Sequence, residues 1–119
     1  MTSGNNAGID WVLLEQYRNI LGAEGIQESI QMFFTVAPEY FAELTGFYSE
    51  QNEAKLRSQA HKLKGSCRSL GFKRLGESMQ MIEKEDWQWQ DVGNELEQWP
   101  HRFAADTAIV NEWLVKQSS

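Results

Sequence analysis

Residues 60–71 read AHKLKGSCRSLG, and their apolar positions have the spacing of an amphipathic helix. A helix turns by about 100° per residue, so residues separated by alternating steps of four and three fall on one side. The stripe formed in this way begins upstream of the motif and consists of Leu56, Ala60, Leu63, Cys67 and Leu70. A stripe of this kind is typical of a helix that packs against a hydrophobic core.

His61 lies beside this stripe rather than in it. Lys64 and Arg68 share its side of the helix, at i+3 and i+7, and Arg57 precedes it at i−4. Gly65 follows on the outer side, where a glycine inside a helix costs about 0.5–1 kcal/mol relative to alanine. The simplest compensation for that cost is the close approach of another molecule to the imidazole.

These residues resemble the histidine-containing phosphotransfer (HPt) domain of two-component phosphorelays, in particular the HPt modules at the C-terminus of hybrid sensor kinases. The family pattern has an Ala-His start, a Leu-Lys-Gly triplet with small residues after it, and a Gly followed by an apolar residue. The positions that match are Ala60, His61, Leu63, Lys64, Gly65, Ser66, Cys67, Gly71, Phe72 and Leu75. The resemblance covers roughly residues 10–117 and implies an all-α fold, an antiparallel four-helix bundle.

The helical periodicity of the whole chain predicts the same architecture, with an additional short N-terminal helix. We expect helices at about 10–21, 24–48, 53–69, 73–85 and 91–117. Asp10 is a candidate N-cap, and Gly22 is predicted to end the first helix. Pro38 and Pro100 leave the apolar phase unchanged, so we expect each to lie inside one continuous, kinked helix rather than in a loop.

Two apolar groups complete this prediction. The first helix is expected to pack by Leu13, Tyr17, Ile20 and Leu21, and the last by Val92, Leu96, Trp99, Phe103, Val110 and Trp113. Trp87 and Trp89 are expected in the link before the last helix.

The composition fits one domain of 119 residues, of which 41% are hydrophobic. We expect a flexible tail over residues 1–8 and the HPt helical domain over residues 9–119. The start of the chain has neither a basic nor an apolar signal-peptide region, and no apolar run is long enough to span a membrane. With a single cysteine, these features predict a cytoplasmic location.

The net charge of −6 hides a strong asymmetry. Seven of the eleven Lys and Arg residues lie within residues 55–74, and that segment contains no Asp or Glu. The overall acidity argues against general nucleic-acid binding, whereas the basic segment favours an acidic partner surface or a phosphate. The alternative is a solvated basic face with no role.

The resemblance implies that His61 is the phosphorylated residue, through its outward nitrogen Nε2. Imidazole suits this chemistry because it is partly neutral at cellular pH and then has a free lone pair. Phosphoryl transfer needs mainly positioning and positive charge. We therefore expect Lys64 to neutralise the phosphoryl oxygens, and Arg68 to do the same or to contact the partner.

The second ring nitrogen needs an acceptor that fixes the ring and its tautomer. Glu83 stands where many relatives carry Gln or Glu, just after the apolar Ile82. It is the predicted ring-orienting residue, by direct contact or by proximity, and Gln80 is a weaker candidate. Cys67 lies on the apolar stripe and is expected to fill the core rather than to react.

The predicted partner-binding residues surround the imidazole or belong to the first helix: Arg57, Lys62, Gly65, Ser69, Lys73 and Trp11. For Trp11 the alternative is that it simply closes the core. The expected partners are a response-regulator receiver domain and a sensor or hybrid histidine kinase, with the chain itself a monomer. No cofactor is expected, because the resemblance implies that the magnesium ion and the acceptor aspartate belong to the receiver domain.

We therefore predict a phosphorelay intermediate, a phosphohistidine carrier without ATP-dependent kinase activity, since no phosphate-binding loop is present. The main alternative is a non-phosphorylated helical adaptor that docks a receiver or kinase domain. A histidine phosphatase or hydrolase would need a second acid or base, and none is evident beyond Glu83. A nucleic-acid binder would use the basic segment.

Overall fold

The structure is a computed structural model that describes residues 8–118, which form four α-helices joined by short links. The helices are α1 (Trp11–Ser49), α2 (Glu53–Ser69), α3 (Lys73–Lys84) and α4 (Trp89–Ser118). The all-α class and the bundle are confirmed. Short links make successive helices antiparallel. Residues 1–7 of the predicted tail lie outside the described part of the chain.

The predicted boundary at Gly22 is present as a break inside α1 rather than as a loop. Gly22 has φ 78° and ψ 171°, a backbone conformation that suits glycine. The segment before it is the predicted short N-terminal helix, and Asp10 caps it by accepting a hydrogen bond from Leu13 N at 3.2 Å. Beyond the break the helix continues through Pro38, as predicted.

The apolar face predicted for that N-terminal segment is wrong in part. Leu14 is its buried residue, whereas Ile20 is 77% exposed and Leu21 is also exposed. The segment has apolar residues on several sides, so periodicity alone cannot decide which row packs. The structure buries the row that contains Leu14 and turns the other outward.

The core lies between α2 and its neighbours. α2 packs against α1 and α3, and α4 packs against the same two helices. The stripe of α2 is buried at Leu56, Ala60, Leu63 and Cys67, with Leu70 partly buried at the end. It meets residues predicted for the other helices: Ile26, Ile30, Phe33, Ala37, Leu44, Leu75, Met79, Ile82, Val92, Leu96, Trp99 and Val110. No helix within residues 8–118 combines the length and apolar character that crossing a membrane requires.

The aromatic residues of α4 differ from the prediction. Trp89 belongs to the helix and not to the link. Phe103 and Trp113 are half-buried, and Leu114 is buried instead. Trp113 lies near the surface, where its indole Nε1 donates to Glu15 Oε2 at 3.3 Å.

A short backbone pairing ties the start of the chain to the turn between α2 and α3. Asp10 N donates to Gly71 O at 2.7 Å, and Arg74 N donates to Gly8 O at 3.2 Å. Gly8, predicted as part of the tail, is therefore held in the fold. Gly71 makes this turn with φ 81°, and a Cβ added there would lie 3.1 Å from Asp10 O.

We expect Gly71→Ala to lower the free energy of unfolding by about 1–2 kcal/mol, because an L-residue is strained in this backbone region. Gly46→Ala is the matched control, since Gly46 lies inside α1 with no atom within 4 Å of an added Cβ. Gly46→Ala should raise the free energy of unfolding by about 0.5–1 kcal/mol, because alanine favours the helix more than glycine does. Urea unfolding of both variants checks the prediction, and equal effects would contradict it.

Candidate functional site

The buried stripe of α2 determines where His61 points. Leu56, Ala60, Leu63 and Cys67 have no exposed surface, and His61 lies outside that stripe on the helix, so its side chain faces solvent. The His61 side chain is 67% exposed. The sequence prediction of a histidine beside the stripe, available to another molecule, agrees with this placement.

Glu83, in the last turn of α3, meets the His61 ring directly. Its Oε2 lies 2.7 Å from His61 Nδ1. A carboxylate can only accept a hydrogen bond, so Nδ1 carries the proton and donates it. Nε2 has no hydrogen-bond partner among residues 8–118 and is the nitrogen that a neutral ring leaves with a free lone pair.

Lys64 holds the other oxygen of the same carboxylate. Its Nζ forms an ion pair with Glu83 Oε1 and donates to Gln80 Oε1 at 3.0 Å. Lys64 is only 12% exposed and Glu83 only 10%. The weaker ring-orienting candidate, Gln80, thus contacts the lysine and not the imidazole. In this state the ammonium group of Lys64 faces a carboxylate rather than solvent.

The protonation of Glu83 is set by opposing effects. Burial alone would raise its pKa, but hydrogen bonds from Lys64 and His61, and the positive charges of those groups, lower the pKa to about 2. Lys84 adds a second ammonium group, with Nζ 3.5 Å from Oε2. The carboxylate is therefore an anion at every physiological pH.

The remaining predicted site residues fall into two groups. Lys62, Gly65, Arg68, Ser69 and Lys73 are exposed on α2 and at the start of α3. A Cβ added to Gly65 would have no atom within 4 Å, so the space above it is open.

Arg57 and Trp11 are occupied by contacts within the fold. Arg57 donates to Glu83 O at 2.8 Å and to other carbonyls at the end of α3. The ring centroids of Trp11 and Trp113 lie 5.8 Å apart. Trp11 is half-buried against the core, its partner contact stays a prediction, and its neighbour Val12 is exposed.

Two further features concern chemistry that the site lacks. Cys67 is buried, and burial, with a smaller effect from the charge of Asp106, raises the pKa of its thiol to about 12, so it is an inert core residue as predicted. Within residues 8–118, no group of three or more His, Cys, Asp and Glu side chains is arranged to hold a metal ion.

Sequence reasoning missed the contacts of Lys64 with Gln80 and of Arg57 with the carbonyls of α3. The first had a signal, because Gln80 precedes Glu83 by three residues and so shares its side of α3. The second had none, since a contact to a main-chain carbonyl depends on no residue type at the acceptor.

Comparisons with known proteins agree on one family. The sequence profile of the Hpt domain matches residues 28–108. Over 116 residues, 96% of this chain, the sequence is 28% identical to the aerobic respiration control sensor protein ArcB of Escherichia coli K12 and of Shigella flexneri. The chain spans only 15% of the length of those relatives.

Two solved structures are similar over most of their length. The histidine-containing phosphotransfer domain of ArcB from Escherichia coli has a TM-score of 0.82 and 28% identity, with 92% of this chain and 95% of that chain covered. The solution structure of the corresponding domain of the anaerobic sensor kinase ArcB has a TM-score of 0.84 and 27% identity, with coverages of 99% and 96%.

We expect Glu83→Gln to change how stability depends on pH. A carboxyl group whose pKa falls from 4.5 to about 2 on folding adds stability above pH 4.5 and loses it as the pH falls toward 2. The wild type should therefore exceed the variant in stability at neutral pH, and the difference should shrink below pH 4.5.

Chemical unfolding from pH 7 to pH 2 measures this difference. Glu77→Gln is the matched control, an exposed glutamate on the same helix. If the free energy of unfolding of both variants changes with pH just as that of the wild type does, the carboxylate of Glu83 is not held by its cationic neighbours.

Proposed function

We propose, on the premise that the chain belongs to the Hpt domain family of two-component phosphorelays, that His61 is its phosphoryl carrier. The group would come from an aspartyl phosphate of a receiver domain, or from a kinase, and would pass to a response-regulator receiver domain. A role in a phosphorelay follows from the family. The carrier residue and the partners are the proposal.

The observation that supports it best is the difference between the surroundings of the two nitrogens of the His61 ring. Nδ1 is held by Glu83 at 2.7 Å, and the exposed Nε2 has no partner among residues 8–118. In the proposed step the lone pair of Nε2 attacks phosphorus. The N–P bond forms as the acyl-phosphate O–P bond breaks, and the electron pair leaves with the aspartate carboxylate.

The proton on Nδ1 stays in place during this step. The phosphorylated ring is a cation at that nitrogen, and the Glu83 carboxylate that accepts the N–H stabilises it electrostatically. The reverse reaction follows the same path, so the geometry suits a carrier that both accepts and donates.

Lys64 is proposed to bind the phosphoryl oxygens. Its ammonium group pairs with Oε1 of Glu83, whose Oε2 holds the His61 ring. A turn of the Lys64 side chain toward the phosphoryl group would therefore exchange the Glu83 carboxylate for the phosphoryl oxygens. Arg68 and Lys73, exposed on the same side, are proposed to attract the acidic partner. The magnesium ion would belong to the receiver domain, and we propose no ATP-dependent activity for this chain.

A cytoplasmic location and a monomeric state complete the proposal. The single cysteine agrees with a reducing compartment, and the net charge of −6 favours a monomer.

We expect His61→Gln to abolish phosphoryl acceptance with little change in helicity or melting temperature, because the side chain is 67% exposed. His101→Gln, at an exposed histidine of α4, is the control and should behave as the wild type. Incubation with an acetyl-phosphate-charged receiver domain, followed by 31P NMR of the phosphoimidazole, measures acceptance. Acceptance by His61→Gln, or none by the wild type from several donors, would favour the docking adaptor.

We expect Gly65→Glu to slow transfer roughly tenfold or more, which corresponds to about 1.4 kcal/mol in the barrier. Gly65 faces open space beside the imidazole, where added bulk and negative charge would meet the incoming aspartyl phosphate. Gly46→Glu adds the same side chain to another open helical position and should leave the rate unchanged. Equal rates for the two variants would show that no partner approaches Gly65.

A further inference from the structure

Arg57 connects the helix of His61 to the end of the helix of Glu83. Its Nη1 donates to Ile82 O at 3.2 Å and to Glu83 O at 2.8 Å, and its Nη2 donates to Glu85 O at 3.1 Å. The last carbonyls of a helix have no partner within the helix. One guanidinium from α2 therefore satisfies three of the carbonyls at the end of α3.

Trp87 completes this cap. The guanidinium carbon of Arg57 lies 4.5 Å from the centroid of the indole ring, and Trp87 Nε1 donates to Ile82 O at 2.9 Å. Glu53 accepts a further hydrogen bond from Arg57 Nε at 2.8 Å. Stacking and hydrogen bonds together fix the plane of the guanidinium.

The position of this cap matters because Glu83 lies in the last turn of α3, next to Lys84, where that helix ends. Terminal turns fray. The carboxylate of Glu83 nevertheless has to stay within hydrogen-bond distance of His61 Nδ1 for the ring to be held. Arg57 precedes His61 by one turn of α2 and bonds the carbonyl of Glu83 itself. It thus ties the main chain of Glu83 to the turn that carries the imidazole.

We infer that Arg57 is a positioning residue for the proposed phosphoryl transfer, acting through the main chain of Glu83 to hold the carboxylate against His61. Its effect on transfer rests on the proposed function, whereas its effect on the imidazole does not. This differs from a partner contact, the role that the sequence predicted for Arg57, because its donors face carbonyls of the same chain.

Two variants of Arg57 and one of Trp87 test the inference. Arg57→Met removes the donors and keeps the apolar stem, and Arg57→Lys keeps the charge and can reach one carbonyl. Trp87→Phe keeps the stacking ring and removes the donor to Ile82, so it gives a milder version if Arg57→Met fails to fold. Arg102→Met is the matched control, since it removes an arginine whose ion pair, with Glu95, lies within α4.

The first measurement is made on the unphosphorylated protein. Long-range 1H–15N correlation in alkaline buffer, where imidazoles are neutral, reports which nitrogen of His61 carries the proton. We expect the Nδ1–H form to predominate in the wild type and in Arg102→Met. It should give way to a mixture of tautomers in Arg57→Met, with Arg57→Lys between the two. The Glu85 amide, which donates to Met81 O at 3.1 Å, should exchange faster in Arg57→Met.

The second measurement is the rate of transfer from a charged receiver domain as a function of its concentration. Positioning predicts that Arg57→Met lowers the maximal rate roughly tenfold and leaves the half-saturating concentration unchanged. An unchanged tautomer and maximal rate, with stability alone reduced, would overturn the inference and make Arg57 purely structural. A raised half-saturating concentration with an unchanged tautomer would overturn it in favour of a partner contact.

The same pair of measurements separates this inference from the proposed function. If the wild type accepts no phosphoryl group but Arg57→Met still shifts the tautomer, the tie between Arg57 and Glu83 is supported and the phosphorelay assignment of His61 is overturned. If the wild type accepts the group and Arg57→Met matches it in both measurements, the positioning role fails alone.

Discussion

Four side chains without exposed surface, Leu56, Ala60, Leu63 and Cys67, fix the rotation of α2 about its own axis. Every feature of the site follows from that constraint. With the stripe buried, His61 faces outward and Lys64 lies at the boundary, close enough to α3 to reach Glu83. A small rotation of α2 would bury the imidazole or separate it from the carboxylate. The packing of one helix therefore sets the chemistry of its opposite side.

The carboxylate of Glu83 is the second element that several features share. It is mostly covered, and a covered anion is costly unless it is paired and hydrogen-bonded. Lys64 and His61 meet this need from one helix, one at each oxygen. The arrangement keeps a negative charge beside a ring that, in the proposed transfer, would become a cation on phosphorylation. It also holds Lys64 near the place where, in the proposed transfer, the phosphoryl oxygens would lie.

Much of this could be read from the sequence, and the physical reasons for the failures are specific. The stripe of α2 has a single phase, so its burial and the outward direction of His61 were predictable. The segment 11–21 has apolar residues on several sides, and its packing face was predicted wrongly at Ile20 and Leu21. The Gly22 break was predictable from residue type. The contact of Arg57 with the Glu83 carbonyl was not, because a main-chain acceptor leaves no mark in the sequence.

The number of cations in the basic segment, residues 55–74, overstates the positive surface that is open to a partner. Its seven cations suggest one continuous positive surface, yet most of them are occupied within the fold. Arg74 pairs with the buried Asp106 at 2.7 Å, and Lys62 lies 4.3 Å from the centroid of the Tyr40 ring. Lys55, Arg57 and Lys64 have ring or ion-pair contacts as well. Within the described residues 8–118, Arg68 and Lys73 are the two cations of the segment that have neither an ion pair nor a contact with an aromatic ring. Arg68 and Lys73, at the end of α2 and the start of α3, are thus exposed without such a contact, whereas Arg57, Lys64 and Arg74 contact groups of other helices.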